Sequence, residues 1–173
     1  LTLRANPLPV EIIIRGYITG SLWRDYSKGV DDEYGFKIPS EMKKNQKFER
    51  PIITPTTKAD YGEHDEPISK NEIISGLVEK DIYEKAEEYA LKLFAEGQKW
   101  ASERGLILVD TKYEFGMIGD ELYVIDEIHT PDSSRYWIQN EYQSRFSKGE
   151  DQLMLDKENI RQWLIEKGFS GEG

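Results

Sequence analysis

The stretch 108-LVDTKYEFG-116 places three charged residues at alternate positions of a predicted β-strand. Side chains alternate faces along a strand, so Asp110, Lys112 and Glu114 should share one face. Strict alternation also assigns two preceding apolar residues to this face, Leu106 and Leu108. The opposite face then carries a mainly apolar set: Ile107, Val109, Thr111, Tyr113 and Phe115. We therefore predict one core face, and one face that turns from apolar to charged and forms either a solvated surface or the floor of a cleft.

A second predicted strand, 121-ELYVIDEI-128, follows after the turn 117-MIGD-120. If the loop has an odd number of residues centred on Asp120, Glu114 lies opposite Asp126 and their carboxylates become neighbours. Two adjacent carboxylates repel unless a cation lies between them, and such oxygen ligands suit Mg²⁺. With an even-numbered loop the two acids fall on opposite faces, and the charged face is simply an exposed hairpin. These two residues alone favour the exposed hairpin.

The remaining pattern mixes strands and helices without regular alternation, which favours the α+β class. Residues 10–15 are predicted to form a strand, and a short helix with Ser21 as its N-cap is predicted to follow. Ser69 and Glu72 form a capping box before a helix. From residue 81 to about 104, apolar residues recur every three or four positions, which predicts a long amphipathic helix. Helices are also predicted at 139–148 and 157–167. We expect a mixed, mainly antiparallel sheet packed by the long helix.

The composition excludes several classes of function. The 173-residue chain has a net charge of −10, whereas nucleic-acid binding needs a basic surface. No apolar run approaches the roughly 20 residues of a membrane span, and no secretory leader is recognisable. Cysteine is absent, which removes disulfides and thiolate metal sites and favours the cytoplasm. An acidic chain can still bind a small anion where a few cationic side chains converge.

Four segments, in order, resemble the SAICAR synthetase (phosphoribosylaminoimidazole-succinocarboxamide synthase) family. They are 6-NPLPVEIIIRGYITGS-21, 54-TPTTKADYGEHDEPIS-69, 106-LILVDTKYEFG-116 and 126-DEIHTPDSSRYW-137. The resemblance runs from about residue 7 to about residue 168. It implies an ATP- and Mg²⁺-dependent ligase of de novo purine biosynthesis. Such a ligase joins L-aspartate to carboxyaminoimidazole ribotide and gives SAICAR, ADP and phosphate.

The resemblance also implies residue roles. The ribotide phosphate would be held by Arg15, Ser21 and Arg135. Mg²⁺ would be held by Glu114 and Asp126, and Lys112 would face nucleotide or substrate. The remaining contacts to ribotide or aspartate would come from Lys58, His64, Asp65 and Asp132. The implied catalytic set is Lys112, Glu114 and Asp126, of which Lys112 and Asp126 also serve the nucleotide. Asp110 suits a structural role and a site role equally well.

The family pattern extends beyond this chain at both ends. A Lys-Gly-Lys-type turn that clamps ATP phosphates in family members has no counterpart here. We therefore expect residues 1–173 to form the central substrate- and ATP-binding domain of a longer enzyme, with very weak or no turnover by itself. The sequence leaves open whether the chain forms a homo-oligomer. Two other readings stay open as well: a non-catalytic nucleotide- or phosphate-binding module, and, less favoured, a metal-independent hydrolase.

Overall fold

A computed structural model of the chain describes residues 3–58 and 65–155. These residues form six strands and four helices. In chain order they are β1 (Asn6–Tyr17), α1 (Gly20–Tyr26), β2 (Lys47–Ile53), β3 (Thr56–Thr57), α2 (Lys70–Gly76), α3 (Lys80–Ser102), β4 (Leu106–Ile118), β5 (Glu121–Ile125), β6 (Ser134–Ile138) and α4 (Gln139–Lys148).

The sheet has six strands in the order β2-β1-β4-β5, with β3 pairing with β1 and β6 pairing with β4. All five strand pairings among the described residues are antiparallel. The two long strands β1 and β4 therefore form the centre of the sheet, and any side chains they share on one face are held by the most extensive pairing in the fold. The predicted α+β class is confirmed.

Helix α3 covers one face of the sheet, as its apolar stripe predicts. Its buried residues are Tyr83, Ala86, Ala90, Phe94, Gly97 and Ala101. They pack against Ile12 and Ile14 of β1 and Tyr113 and Phe115 of β4. Trp100, which belongs to the predicted stripe, is 62% exposed and lies outside this core. The capping box of Ser69 and Glu72 at the start of α2 is confirmed.

Strict alternation along β4 is wrong because the strand contains an irregularity. The β4–β6 register shifts by one residue between Leu108 and Asp110, which is a β-bulge. Leu108 therefore packs under α3 together with Tyr113, although the two positions differ in parity. Val109 instead packs with Tyr17 and Trp137 in a separate cluster. The face with the charged residues is thus lined by Val109 before the bulge, and Leu108 belongs to the opposite face.

The β4–β5 hairpin has the even-numbered loop. Ile118 pairs with Glu121, so the loop consists of two residues, and Glu114 pairs with Ile125 rather than Asp126. Gly119 has a φ of 60°, which suits the first loop position of a type II′ turn. The direct cross-strand pairing of Glu114 with Asp126 is therefore wrong.

Helix α4 matches the helix predicted at 139–148, whereas the helix predicted at 157–167 lies outside the described residues. Within the described part of the chain, no helix has the length and apolar character that a bilayer crossing requires.

Candidate active site

The face of β1 and β4 opposite α3 gathers the predicted cationic and acidic residues. Arg15 pairs with Asp110 in the strand register, and the Arg15 guanidinium is buried. Arg15 Nη1 lies 3.5 Å from Asp110 Oδ2, and Arg15 Nε donates a 2.8 Å hydrogen bond to Thr54 Oγ1. Arg135, from β6, places its Nη1 3.4 Å from the same Asp110 oxygen. One carboxylate therefore holds two guanidinium groups side by side.

The two arginines differ in their access to solvent. The side chain of Arg15 is 7% exposed and that of Arg135 is 30% exposed. Burial lowers the pKa of Arg15 and the charge of Asp110 opposes that shift. Because a guanidinium titrates far above neutral pH, Arg15 stays cationic despite this shift. This arrangement can bind an anion mainly through Arg135, with Arg15 contributing charge from beneath.

A cleft of about 620 Å³ opens beside Arg135. Its lining includes the cationic residues Arg24, Lys44 and Arg135. Gly20, which has a φ of 60°, lets the chain pass directly over the Arg135 guanidinium, because an added Cβ would lie 2.6 Å from Nη1. The start of α1 and the guanidinium are therefore in close contact, as phosphate recognition by both would require.

Ser21 follows Gly20 in the chain, but it is not at the predicted capping position. Helix α1 spans Gly20–Tyr26 and its N-cap is Thr19, so the assignment of Ser21 as N-cap is wrong. The hydroxyl of Thr19 donates a 2.8 Å hydrogen bond to Asn45 Oδ1 instead of capping the helix. Ser21 is exposed in the first turn, beside Gly20. Its hydroxyl is thus accessible to a ligand.

A second charged group lies further along the same face. Glu11 pairs with Glu114 in the β1–β4 register, and both residues are buried. Lys112 Nζ lies 2.7 Å from Glu11 Oε1 and 3.3 Å from Glu114 Oε1. The sheet therefore does bring two carboxylates together across adjacent strands, but the second one is Glu11.

Lys58 contacts the other oxygen of Glu114, Oε2, through its Nζ. Asp65 is near enough for its negative charge to act on Glu11. His64, the third residue predicted from this segment, lies outside the described residues. Lys58 and Asp65, which flank residues 59–64, thus both lie beside the Glu11, Lys112 and Glu114 group.

The pKa values of this group reflect burial and charge together. Burial raises the pKa of Glu11, although Lys112 opposes the shift. Burial acts to raise the pKa of Glu114 too, but the Lys58 and Lys112 ammonium groups outweigh it and lower that pKa. Burial acts to lower the pKa of Lys112, but the hydrogen bond to Glu11 and the charges of both carboxylates raise it. Lys112 is therefore an ammonium and Glu114 a carboxylate at neutral pH.

The two other predicted acids, Asp126 and Asp132, are exposed. Asp126 is exposed and follows β5 directly, with a φ of 64°. Strand β5 ends one residue before Asp126, so strand pairing does not determine on which face of the sheet the Asp126 side chain lies. Asp132 is exposed in the segment before β6. The described residues contain no group of three or more His, Cys, Asp or Glu side chains that could hold a metal ion by themselves.

Sequence reasoning missed Glu11 and Thr54. Glu11 was visible as the single charged residue in 6-NPLPVEIII-14, four positions before Arg15 and therefore on the same face. Four residues of a strand span roughly 13 Å, which is the distance between the arginine pair and the carboxylate group along β1. Thr54 gave no signal, because its contact with Arg15 joins residues 39 positions apart.

The arrangement suits recognition of a ligand that is anionic at one end and reacts at the other. The guanidinium pair can hold a phosphate or carboxylate by parallel hydrogen bonds. The Glu114 carboxylate can bind a divalent cation. The Lys112 ammonium group can neutralise charge on a transferring phosphoryl group.

Comparisons with known proteins identify the family and the fold of the chain. The model of the SAICAR synthetase family matches residues 1–172. The phosphoribosylaminoimidazole-succinocarboxamide synthase of Bacteroides thetaiotaomicron is 56% identical over 165 residues, which is 95% of this chain and 52% of that protein. A solved structure of SAICAR synthase from Saccharomyces cerevisiae, complexed with SAICAR, superposes with a TM-score of 0.76 at 39% identity. It covers 97% of this chain and 53% of the yeast chain.

A structure of a type-2 SAICAR synthetase in complex with ADP also matches, with a TM-score of 0.64 at 25% identity. It covers 98% of this chain and 66% of that chain. The chain thus spans about half the length of its curated relative, at 52%.

Proposed function

The chain belongs to the SAICAR synthetase family, and on that premise we propose that it carries the ribotide- and metal-binding face of an ATP-dependent ligase. The reaction joins L-aspartate to carboxyaminoimidazole ribotide and yields SAICAR, ADP and phosphate. It belongs to de novo purine biosynthesis, and we expect it in the cytoplasm. The 173 residues match about half of a full-length relative, so we expect them by themselves to bind ligands with very weak turnover.

One observation carries the proposal. The β1–β4 register sets Arg15 opposite Asp110 and Glu11 opposite Glu114 on one face of the sheet. A phosphate-binding cationic pair and a cation-binding carboxylate therefore share one rigid surface. Elements built on paired strands hold such groups in fixed geometry, which catalysis by positioning requires.

The ribotide phosphate would be held by Arg135, Arg15 and Ser21. Arg135 is the accessible guanidinium, and its planar fork can donate two parallel hydrogen bonds to phosphate oxygens. Arg15 lies beneath it and adds charge. The exposed Ser21 hydroxyl adds a further donor beside Gly20.

The donor set fits Mg²⁺ when a nucleotide supplies the remaining oxygens. Mg²⁺ is held in many enzymes by one or two carboxylates together with substrate phosphates and water. Glu114 meets that need because its lowered pKa keeps it ionised. Asp126 would be the second carboxylate. Bound there, the cation would neutralise charge on the phosphates of ATP.

The chemistry explains why these residue types are needed. A carboxylate is a poor acylating agent, so the ribotide carboxylate first attacks the γ-phosphorus of ATP and releases ADP. The aspartate amine then attacks the acyl carbon, the C–N bond forms, and phosphate leaves as the nitrogen loses a proton. Phosphoryl transfer depends mainly on positioning and charge neutralisation. Lys112, with its raised pKa, serves there as a fixed cation and not as a base.

The remaining predicted residues would contact the ribotide or aspartate. Lys58 and Asp65 are exposed residues beside the carboxylate group, and Asp132 precedes β6. His64 lies between Lys58 and Asp65 in the chain. Their assignment rests on the family resemblance.

Calorimetric titration with carboxyaminoimidazole ribotide and with Mg-ATP, separately and together, tests the proposal. Arg135→Gln should weaken ribotide binding by about tenfold or more, because hydrogen bonds to charged groups contribute about 1.5–3 kcal/mol. Arg104→Gln is the control, because Arg104 pairs with Glu103 and does not line the cleft beside Arg135. Equal ribotide affinity in both variants would refute the phosphate assignment.

A non-catalytic phosphate-binding module is the second candidate. It is favoured by the saturation of Glu114, whose two oxygens each contact an ammonium group. In that case Mg²⁺ has no effect on nucleotide or ribotide binding, either in the parent chain or in the Glu114→Ala variant. If the chain is part of a ligase, Mg²⁺ changes this binding in the parent chain, and Glu114→Ala loses that change.

A further inference from the structure

Two acids of the charged face, Glu11 and Glu114, come from adjacent strands. They occupy directly opposed positions of β1 and β4, where side chains are immediate neighbours. Glu11 is 4% exposed and Glu114 is 9% exposed. Two carboxylates buried side by side repel each other, so a shared cation is needed to keep both ionised.

Lys112 supplies that cation, and its ammonium group lies closer to one of the two carboxylates than to the other. Its Nζ lies 2.7 Å from Glu11 and 3.3 Å from Glu114. Lys112 is opposite Ile13 in the register, between the two acids and the arginine pair. The shorter contact ties the ammonium group to the residue that is more deeply buried.

Glu114 has a second ammonium partner in Lys58, whose Nζ contacts Oε2. Glu114 therefore contacts two ammonium groups, those of Lys58 and Lys112. A divalent cation that binds Glu114 must compete with both ammonium groups, and it repels whichever of them stays nearby.

We propose that Glu11 is a positioning residue that binds the Lys112 ammonium more closely than Glu114 does, so that Lys112 keeps only the longer contact with Glu114 and Glu114 can accept a divalent cation while Lys112 stays on the reacting face. The inference rests on the proposed metal role of Glu114. Glu11 itself does not touch the substrate; it acts through Lys112. Without the Glu11 charge, the Lys112 ammonium moves closer to Glu114, its remaining anionic partner, and competes more strongly with the cation.

A second carboxylate–lysine pair in the same chain provides a matched control. Lys70 Nζ lies 2.6 Å from Glu87, with side-chain exposures of 41% and 15%. The Lys112–Glu11 pair has exposures of 37% and 5%. Glu87 belongs to α3 and lies away from the charged face. Glu87→Gln therefore reproduces the loss of a half-buried ion pair without touching the proposed site.

The test is Mn²⁺ binding to the chain in the presence of ATP, which supplies the remaining oxygen ligands, measured by electron paramagnetic resonance, because Mn²⁺ substitutes for Mg²⁺ at oxygen ligands. Glu11→Gln keeps the shape of the side chain and an acceptor oxygen but removes the charge. We expect it to weaken Mn²⁺ binding roughly tenfold, within the usual range of coupling between two binding events. Glu87→Gln should leave Mn²⁺ affinity unchanged.

A double-mutant cycle with Lys112→Met separates positioning from simple attraction. If Glu11 acts through Lys112, Glu11→Gln has little effect on Mn²⁺ affinity once Lys112 is gone. If Glu11 only attracts the cation through space, the effect is the same in both backgrounds, and the inference is wrong. Should Glu11→Gln fail to fold, Glu11→Asp, which shortens the reach to Lys112, must weaken Mn²⁺ binding in the same direction; unchanged affinity there also overturns the inference.

Glu114→Gln distinguishes this inference from the function on which it rests. If Glu114→Gln leaves Mn²⁺ affinity unchanged, the metal role of Glu114 is wrong and the inference falls with it. If Glu114→Gln abolishes binding while Glu11→Gln leaves it intact, only the role of Glu11 is overturned.

Discussion

Arg15 and Asp110 lie opposite each other on β1 and β4, and a buried ion pair with 3.5 Å between Nη1 and Oδ2 joins their side chains. The same Asp110 oxygen holds Arg135. Asp110 is therefore the shared counter-charge for two cations from different strands. Its loss should affect both the fold, through Arg15, and the ligand site, through Arg135.

Asp110→Asn should lower the free energy of unfolding by about 3 kcal/mol, because it leaves a buried guanidinium without its charged partner. Urea unfolding measures the effect. Asp151→Asn removes a carboxylate that pairs with Lys44 at 84% side-chain exposure, and its unfolding midpoint should match the parent. An Asp110→Asn variant as stable as Asp151→Asn would mean that Arg15 is satisfied without Asp110.

Gly20→Ala should weaken ribotide binding because its Cβ would lie 2.6 Å from Arg135 Nη1 and displace the guanidinium. The positive φ adds a backbone cost of about 1–2 kcal/mol in stability. Gly29→Ala is the matched control, since Gly29 also has a positive φ, of 87°, but no atom lies within 4 Å of its added Cβ. Both variants should lose similar stability, and calorimetry should find weaker ribotide binding only for Gly20→Ala.

Local sequence pattern accounts for much of the fold. The capping box of Ser69 and Glu72 and the apolar stripe of α3 depend on neighbours within one or two turns, so they can be read directly. The apolar face of β4 at Tyr113 and Phe115 follows from alternation over a short distance. Helix α4 was also located by its pattern.

The parts of the site that were missed depend on strand pairing. The bulge between Leu108 and Asp110 exists only in relation to β6, so strict alternation placed Leu108 on the wrong face. The pairing of Glu11 with Glu114 joins strands about 100 positions apart, and local sequence does not determine a register of that kind. The hairpin register followed the two-residue turn at Gly119, which the sequence reading had left open.

His129 should make the stability of the chain depend on pH. Burial lowers its pKa below the ordinary value of 6.5, and its Nε2 lies 2.5 Å from the Tyr113 hydroxyl. The unfolded state therefore binds a proton before the folded state does. Stability is fully present above pH 6.5 and is lost as pH falls from there towards the folded pKa.

Unfolding midpoints of the parent chain and of His129→Asn, compared between pH 7.5 and 5.5, check this dependence. Asn tolerates the φ of 59° at this position and does not titrate. The parent should lose more stability on acidification than the variant does. Identical pH profiles would show that His129 does not contribute to the slope.

Gly97→Ala should destabilise the chain even though alanine favours helices more than glycine does. An added Cβ on Gly97 would lie 2.5 Å from His129 Cε1 and 2.8 Å from Leu108 Cδ2, inside the contact between α3 and β4. Overpacking of this kind typically costs about 1–3 kcal/mol, which exceeds the propensity gain of about 1 kcal/mol. Gly76→Ala, at the end of α2, meets no atom within 4 Å and should stabilise by about 0.4–1 kcal/mol. Urea unfolding should therefore give opposite signs for the two substitutions, because the space around the glycine and not its helix propensity decides the outcome at Gly97.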